Sequence, residues 1–232
     1  MKKTLVALAI SAALLPSLVH AEAGDIVVRL RATHINPDEN SKLGKQTDAT
    51  YGAGTVSGAY GSTGSNAELR VDSNTIPELD ISYYFTKNIA AELILALGSK
   101  HDVNITKNGS GAAYDTDLGK INLLPPTLTL QWHFNPDQIF DPYVGAGVSY
   151  VRAMDNGLNY GPFPIRIDRN NWGAAVQAGL DVNLENRWLV NFDVKRIFVD
   201  TDVKLNFDGS YKKIDGLDVD PWVVSVGFGK KF

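Results

Sequence analysis

Three histidines follow residue 21, namely His34, His101 and His133, and they are the natural starting points for a general base or a metal ligand. Their places in the chain keep them apart. His34 closes one alternating segment, His101 falls in a polar connection read as a loop, and His133 sits near the far end of another alternating segment. No Ser-His-acid set can be assembled around them, and their spacing matches no metal-binding motif. The 232-residue chain has no cysteine, which also excludes thiolate catalysis, thiolate metal centres and disulfides. The expectation is no catalytic residues, no metal and no cofactor. The remaining chemistry is charge: Arg29, Arg31, Glu78, Asp80, Glu92, Asp181, Asp193 and Lys195 stand inside segments that are otherwise rich in apolar residues. Charges in such surroundings need partners, so the elements that carry them decide what they do.

The chain begins MKKTLVALAISAALLPSLVHA, two lysines ahead of an apolar run that ends in a small-residue cleavage site. This is the pattern of a secretory signal peptide over residues 1–21, too short and too interrupted by Pro16 for a spanning helix. Residues 22–232 then form one domain. The formal net charge of −4 becomes more negative once Lys2 and Lys3 are removed, and no basic patch suggests a nucleic acid partner. No later run is long and apolar enough for a membrane helix.

Eight segments alternate with a period of two, the signature of strands with one apolar face. Their apolar positions begin at Ile26, Leu79, Ile89, Leu128, Val144, Ala174, Trp188 and Trp222. The connections alternate as well. TKN, NPDQIFD and ENR are short, whereas residues 36–74, 99–120, 153–170 and 201–217 are long and rich in Gly, Asn, Asp and Ser. An even strand number with short turns at one end and long loops at the other predicts an all-β, eight-stranded antiparallel transmembrane β-barrel with long extracellular loops and short periplasmic turns. Aromatic residues gather at both ends of the segments, with Phe85, Trp132, Phe134, Trp188 and Phe232 beside the short turns and Tyr150, Trp172 and Trp222 opposite, as interfacial belts require. A soluble barrel would invert the faces; the signal peptide, the belts and the terminal Phe232 favour lipid outside and a polar lumen.

Parity then places Arg29, Arg31, Glu78, Asp80, Glu92, Asp181 and Asp193 together in the lumen, with Lys195 facing the same set. Eight strands enclose a space that side chains can fill, so these residues are expected to pair into a lumenal plug rather than line an open pore, and the excess of acids calls for water or a further base to complete it. Ile94 faces the same interior above them.

The stretches LPPTLTLQWHF, DPYVGAGVSY, NWGAAVQAGLD, RWLVNFDV and LDVDPWVVSVGFGKKF together resemble the OmpW family of Gram-negative outer-membrane proteins. The resemblance implies residence in the bacterial outer membrane and passive uptake of small hydrophobic molecules. These would enter the extracellular half of the barrel and leave sideways through its wall. It associates the LPPT motif, here Pro125 and Pro126, with the lateral opening, and prolines weaken a ladder because they lack an N–H. Ile94 and Lys195 complete the expected transport pathway, Lys195 standing where other members can carry an aromatic. The implied partners are outer-membrane lipid, small hydrophobic solutes and, through the terminal Phe232, the barrel-assembly machinery. The alternative is a structural or adhesive barrel whose outer loops form a receptor surface.

Overall fold

In β1 (Ile26–Asn36) Leu30 is 64% exposed while its neighbours Arg29 and Arg31 are 0% and 2% exposed. A soluble protein would reverse those numbers; here the alternation puts apolar side chains outward and charges inward. The computed structural model describes residues 22–52, 67–96, 98–107, 116–155 and 157–232. The signal peptide expected at 1–21, Leu97 and parts of the first three outer segments lie outside the described residues. No helix among the described residues is long and apolar enough to cross a membrane; the crossing is made by strands.

The wall consists of β1, β3 (Asn74–Tyr84), β4 (Ile89–Ala96), β7 (Thr127–His133), β8 (Phe140–Asp155), β11 (Asn170–Asn183), β12 (Trp188–Phe198) and β15 (Trp222–Lys231), paired in that order. The pairing of β15 with β1 closes the ring from Val27↔Lys231 to Asn36↔Trp222. Closure is completed by Phe232, whose N–H donates to the Ile26 carbonyl at 2.8 Å. In a medium that offers no hydrogen bonds to a bare edge, such closure satisfies every neighbouring backbone group. The short connections face the periplasm. At the first, Thr86 Oγ1 accepts from the Ile89 N–H at 3.0 Å; the third is a single turn over Glu185–Arg187 in which Asn186 takes a positive φ of 57°.

The aromatic belts are built from side chains that touch. Tyr83 and Phe85 meet edge to face, and Tyr150 lies 4.8 Å from Trp172 between ring centroids. Lys230, the one lysine on the lipid face of the last strand, folds its ammonium over the Trp188 ring at 5.2 Å and the Phe232 ring at 5.7 Å, so its stem covers apolar surface while its charge meets ring faces.

The outer segments, read from composition as loops, are instead largely strand. A short helix, α1 (Leu43–Tyr51), precedes β2 (Ala67–Val71), which pairs with β5 (Ser99–Lys107); β5 pairs with β6 (Thr116–Leu124), and β6 joins the end of β8. A separate four-stranded sheet orders β14 (Tyr211–Asp218), β13 (Asp200–Asn206), β10 (Phe163–Ile167) and β9 (Leu158–Tyr160). These pieces bury Leu43, Leu69, Ile105, Leu158, Val203 and Ile214 against one another in an apolar core above the membrane. A second apolar layer of Ile35, Ile76, Ala96, Ala175, Ile197 and Val223 occupies the upper lumen. The interior is therefore apolar at the top and charged below.

Candidate functional site: a charged layer beneath an apolar cavity

The strand pairing dictates which charges meet. Arg29 is opposite Asp80 and Arg31 opposite Glu78 in the β1–β3 ladder. Arg29 Nη1 lies 3.2 Å from Asp80 Oδ1 and donates to Ser82 Oγ at 2.7 Å, and its Nη2 reaches Asp181 Oδ2 across the lumen at 2.6 Å. Arg31 Nη2 is 2.5 Å from Glu78 Oε1, and its Nη1 bridges Asp80 at 2.8 Å and Glu92 at 3.3 Å. Glu92 is the hub. Its Oε2 accepts from Thr129 Oγ1 at 3.0 Å and Gln177 Nε2 at 2.9 Å, and Lys195 Nζ lies 3.7 Å away. Lys195 also stands 3.6 Å from Asp193, whose other oxygen accepts from the Tyr143 hydroxyl at 2.8 Å. Arg29, Arg31, Asp80 and Glu92 are almost wholly buried. A guanidinium whose hydrogens go to three or four acceptors offsets the cost of burial that an isolated charge could not.

Several members of this layer carry no charge and so were not singled out in the sequence. Asn191 donates to Asp181 at 2.7 Å and accepts from Arg31, and Tyr143, Thr129 and Gln177 fill the gaps between acids. The signal for them is the same inward parity that places the charges. Towards the periplasm the network continues through His133, whose Nδ1 is 2.8 Å from Asp141 Oδ2 and whose Nε2 is 3.1 Å from the Tyr84 hydroxyl. The buried Lys231 supplies a further base beside Tyr84, its Nζ 5.6 Å from that ring.

Above the charged layer lies a cavity of about 100 Å³ that opens outward. Twenty of its 25 lining residues are apolar, contributed by the upper lumen (Ile35, Ile197, Val223) and by the outer strands (Leu69, Val103, Ile165, Val203). A lining of this kind suits a small apolar ligand. Pro125 is in its wall; Ile94, buried two residues above Glu92 on β4, pairs with Thr127 and Asp80 between the cavity and the charges. Trp172 is 68% exposed on the outer belt.

The prolines mark a break in the wall. The β4–β7 ladder ends at Ile94↔Thr127, and the β5–β6 ladder above it starts at Ser99↔Leu123. Between these limits, among the described residues, Leu95, Ala96 and Gly98 have no ladder pairing with Leu124, Pro125 and Pro126. Each side is held from behind, Leu95 and Ala96 by Leu79 and Glu78, Leu124 by Arg152, and the Pro126 carbonyl by the Tyr150 N–H at 2.9 Å. The rim facing lipid is apolar, with Leu93, Leu124 and Leu128 all exposed.

His101, expected in a loop, lies instead on β5 and lines the cavity with Ser99. Its Nδ1 is 2.8 Å from the Asp72 carbonyl, an acceptor only, so Nδ1 carries the proton and Nε2 accepts from Ser99 Oγ at 2.7 Å. Burial away from water is the largest influence on this imidazole and holds it below its ordinary range. His34 is at the outer end of β1, exposed and bonded to Thr75 at 3.0 Å. The three histidines therefore occupy three separate places, and none shares a site with another.

The OmpW family model matches residues 22–232. An uncharacterized outer-membrane protein y4mB of Sinorhizobium fredii is 41% identical over 183 residues, covering 79% of this chain and 75% of that protein. Outer membrane protein W of Escherichia coli is 33% identical, covering 100% of this chain and 99% of that protein. Among solved structures, the crystal structure of the outer membrane protein OprG from Pseudomonas aeruginosa superposes with a TM-score of 0.74 at 30% identity, covering 92% of this chain and 98% of that one. A family match over the whole described barrel, together with these likenesses, places the protein in the outer membrane as an eight-stranded barrel: the chain belongs to the OmpW family.

Proposed function

We propose that this barrel takes up small hydrophobic molecules passively. They enter the cavity from outside and leave sideways into the membrane through the break between β4 and Pro125–Pro126. The observation that carries the reading is that Pro125 belongs to both features: it lines the cavity, and it stands in the interrupted ladder. The charged layer beneath supports it. An apolar molecule moving down would have to part Arg31, Glu92 and Lys195 without offering them hydrogen bonds, which is costly, so the wall is the easier way out. Arg29, Arg31, Glu78, Asp80, Glu92, Asp181 and Asp193 act on this reading as the plug, Ile94 as the floor of the pathway, and Lys195 as a member of the plug at its upper edge. Lipid around the belts and the barrel-assembly machinery acting on the terminal strand are the remaining partners. The proposed role is not catalytic. The Ser99–His101 pair is oriented by a backbone carbonyl rather than by a hydrogen-bonded carboxylate, unlike the acid of a Ser-His-acid triad.

The test is Pro125→Ala combined with Pro126→Ala, which restores an N–H donor on each face of this strand start, that of residue 125 towards the open seam, and lets the ladder close. The double variant should stay folded and heat-modifiable on gels, yet admit a small hydrophobic solute into cells or liposomes several-fold more slowly. Unchanged uptake in the folded double variant would refute lateral exit. A native barrel that speeds no hydrophobic solute would remove transport altogether and leave the outer receptor surface as the working reading.

A further inference from the structure

The arginines at the outer end of the wall are not equally provided for. Arg196 of β12, beside Trp222 in the outer belt, has its Nη2 2.8 Å from Asp38 and its guanidinium 5.0 Å from the Trp222 ring, so its charge is met within the chain. Arg152 of β8 differs. It is exposed, and among the described residues its side chain has no ion pair, hydrogen bond or ring contact. The alternation that turns Val144, Ala146 and Val148 outward runs on through Tyr150 to Arg152, which stands about 7 Å farther out along the strand than the Tyr150 ring packed on Trp172. Its outward neighbours on one side are apolar: Leu124 is its ladder partner on β6, and Met154 follows it on β8, both exposed. On the other side its ladder partner is Asn170 of β11, whose Oδ1 accepts from the Tyr150 hydroxyl at 2.6 Å and leaves the amide N–H groups to donate elsewhere. Arg169 precedes Asn170; its carbonyl accepts from the Ala153 N–H at 2.9 Å, and its exposed side chain also has no partner among the described residues. Two guanidinium-bearing residues and an amide therefore flank one rung of the β8–β11 ladder, just outside the aromatic belt. A cation in such apolar company on a lipid-facing wall is stable at headgroup level, where an anion can meet it.

We infer that Arg152 and Arg169, with the Asn170 amide, hold a phosphate group of an outer-leaflet lipid against the wall. The long connections face outward, so this rung lies at the outer leaflet, whose phosphorylated glycolipid presents anions at that depth. A guanidinium suits a phosphate because its forked N–H groups match two phosphate oxygens at once. Below the rung the wall offers what the chains of such a lipid need, an exposed apolar strip through Leu124, Val148 and Leu128, with Val148 and Leu128 paired across the β7–β8 ladder. A soluble anion could use the same guanidinium groups but would gain nothing from the strip. The site lies one strand from the break at Pro125, and it stands whether or not a solute passes through that break.

The experiment places the full-length barrel in neutral phosphatidylcholine bicelles and titrates in lipid A brominated near the carbonyl end of its chains. A bromine held against the wall quenches tryptophan fluorescence, and Trp172 is the tryptophan beside this rung. The comparison probe is the same lipid with its phosphates removed. Native barrel should show saturable quenching by lipid A and only weak, partition-like quenching by the dephosphorylated lipid. Trp172→Phe should remove most of the saturable part. Arg152→Gln should raise the half-saturating concentration about fivefold, the worth of one basic residue near an anionic surface, and Arg152→Gln with Arg169→Gln roughly 25-fold. Lys87→Gln removes one positive charge at the periplasmic end and should leave the titration unchanged. Heat-modifiability on gels reports that each variant is folded. Equal quenching by the two lipids, arginine variants that titrate like the native barrel, or a Lys87→Gln effect as large as that of Arg152→Gln would overturn the site. Displacement of lipid A by an equal concentration of inorganic phosphate would make it a soluble-anion site and overturn its assignment to a lipid.

Discussion

Glu92 shows how much one side chain can hold together. It accepts from Thr129 and Gln177 and faces Arg31 and Lys195, all inside the barrel. Glu92→Ala removes the acid and leaves two cations without their shared partner, a change that for buried pairs costs about 3–5 kcal/mol. The expected outcome is a lower temperature for loss of the heat-modifiable band and a rise in planar-bilayer conductance from a small native value. Glu92→Gln should lose less, because its amide oxygen can still accept. Large, steady conductance from the unmodified barrel would contradict the plug. At this scale the sequence was informative about charge and silent about company. Parity alone puts Arg29, Arg31 and Glu92 inside. It does not say that Asp181 reaches Arg29 across the lumen, because that contact depends on how far neighbouring strands are staggered around the ring. Ser99 and His101 were missed as a pair for a different reason: they occur in a segment whose Gly and Asn content hides its strands.

The wall elements were the most legible part of the chain, since a half-buried strand in lipid must alternate and eight segments do so plainly. The outer strands were less so. Val103 and Ile105 alternate, as do Val203 and Leu205, but the runs are short and separated by Asp, Asn and Gly, so composition outweighs periodicity in reading them. The stagger of the wall explains certain glycines. A Cβ at Gly227 of β15 would fall 2.2 Å from the Leu30 carbonyl oxygen and 2.7 Å from Arg31 Cα, and one at Gly147 of β8 would fall 1.9 Å from the Leu128 carbonyl oxygen. These neighbours are backbone and cannot swing aside. Gly227→Ala should therefore destabilise the barrel by about 1–3 kcal/mol, the usual cost of overpacking, seen as a lower melting temperature of the heat-modifiable band. A substitution of the same size on the lipid face, Ala146→Gly, should change it much less. Equal effects would mean that β1 and β15 are not as closely applied as their register indicates.

For the molecule as a whole, the short turns and the strand-built outer layer make unequal targets. Protease added to intact cells should cut at exposed outer turns such as Asp208–Ser210 or Gly161–Pro162, and not at Thr86–Asn88 or Glu185–Arg187 on the periplasmic side. Cleavage at either inner turn in intact cells would reverse the orientation. Closure of the ring, described above through Ile26 and Phe232, also has a consequence in time. The first and last strands of the wall are the pair farthest apart in the sequence, so the contact that removes the open edges cannot form until nearly the whole chain is in place. Pairings of such long range form slowly, and until they do the strand edges are free to recruit another chain. The finished barrel presents no free edge at this seam; its hazard is confined to the interval between export and the meeting of its two ends, and that interval is where delay would be most damaging.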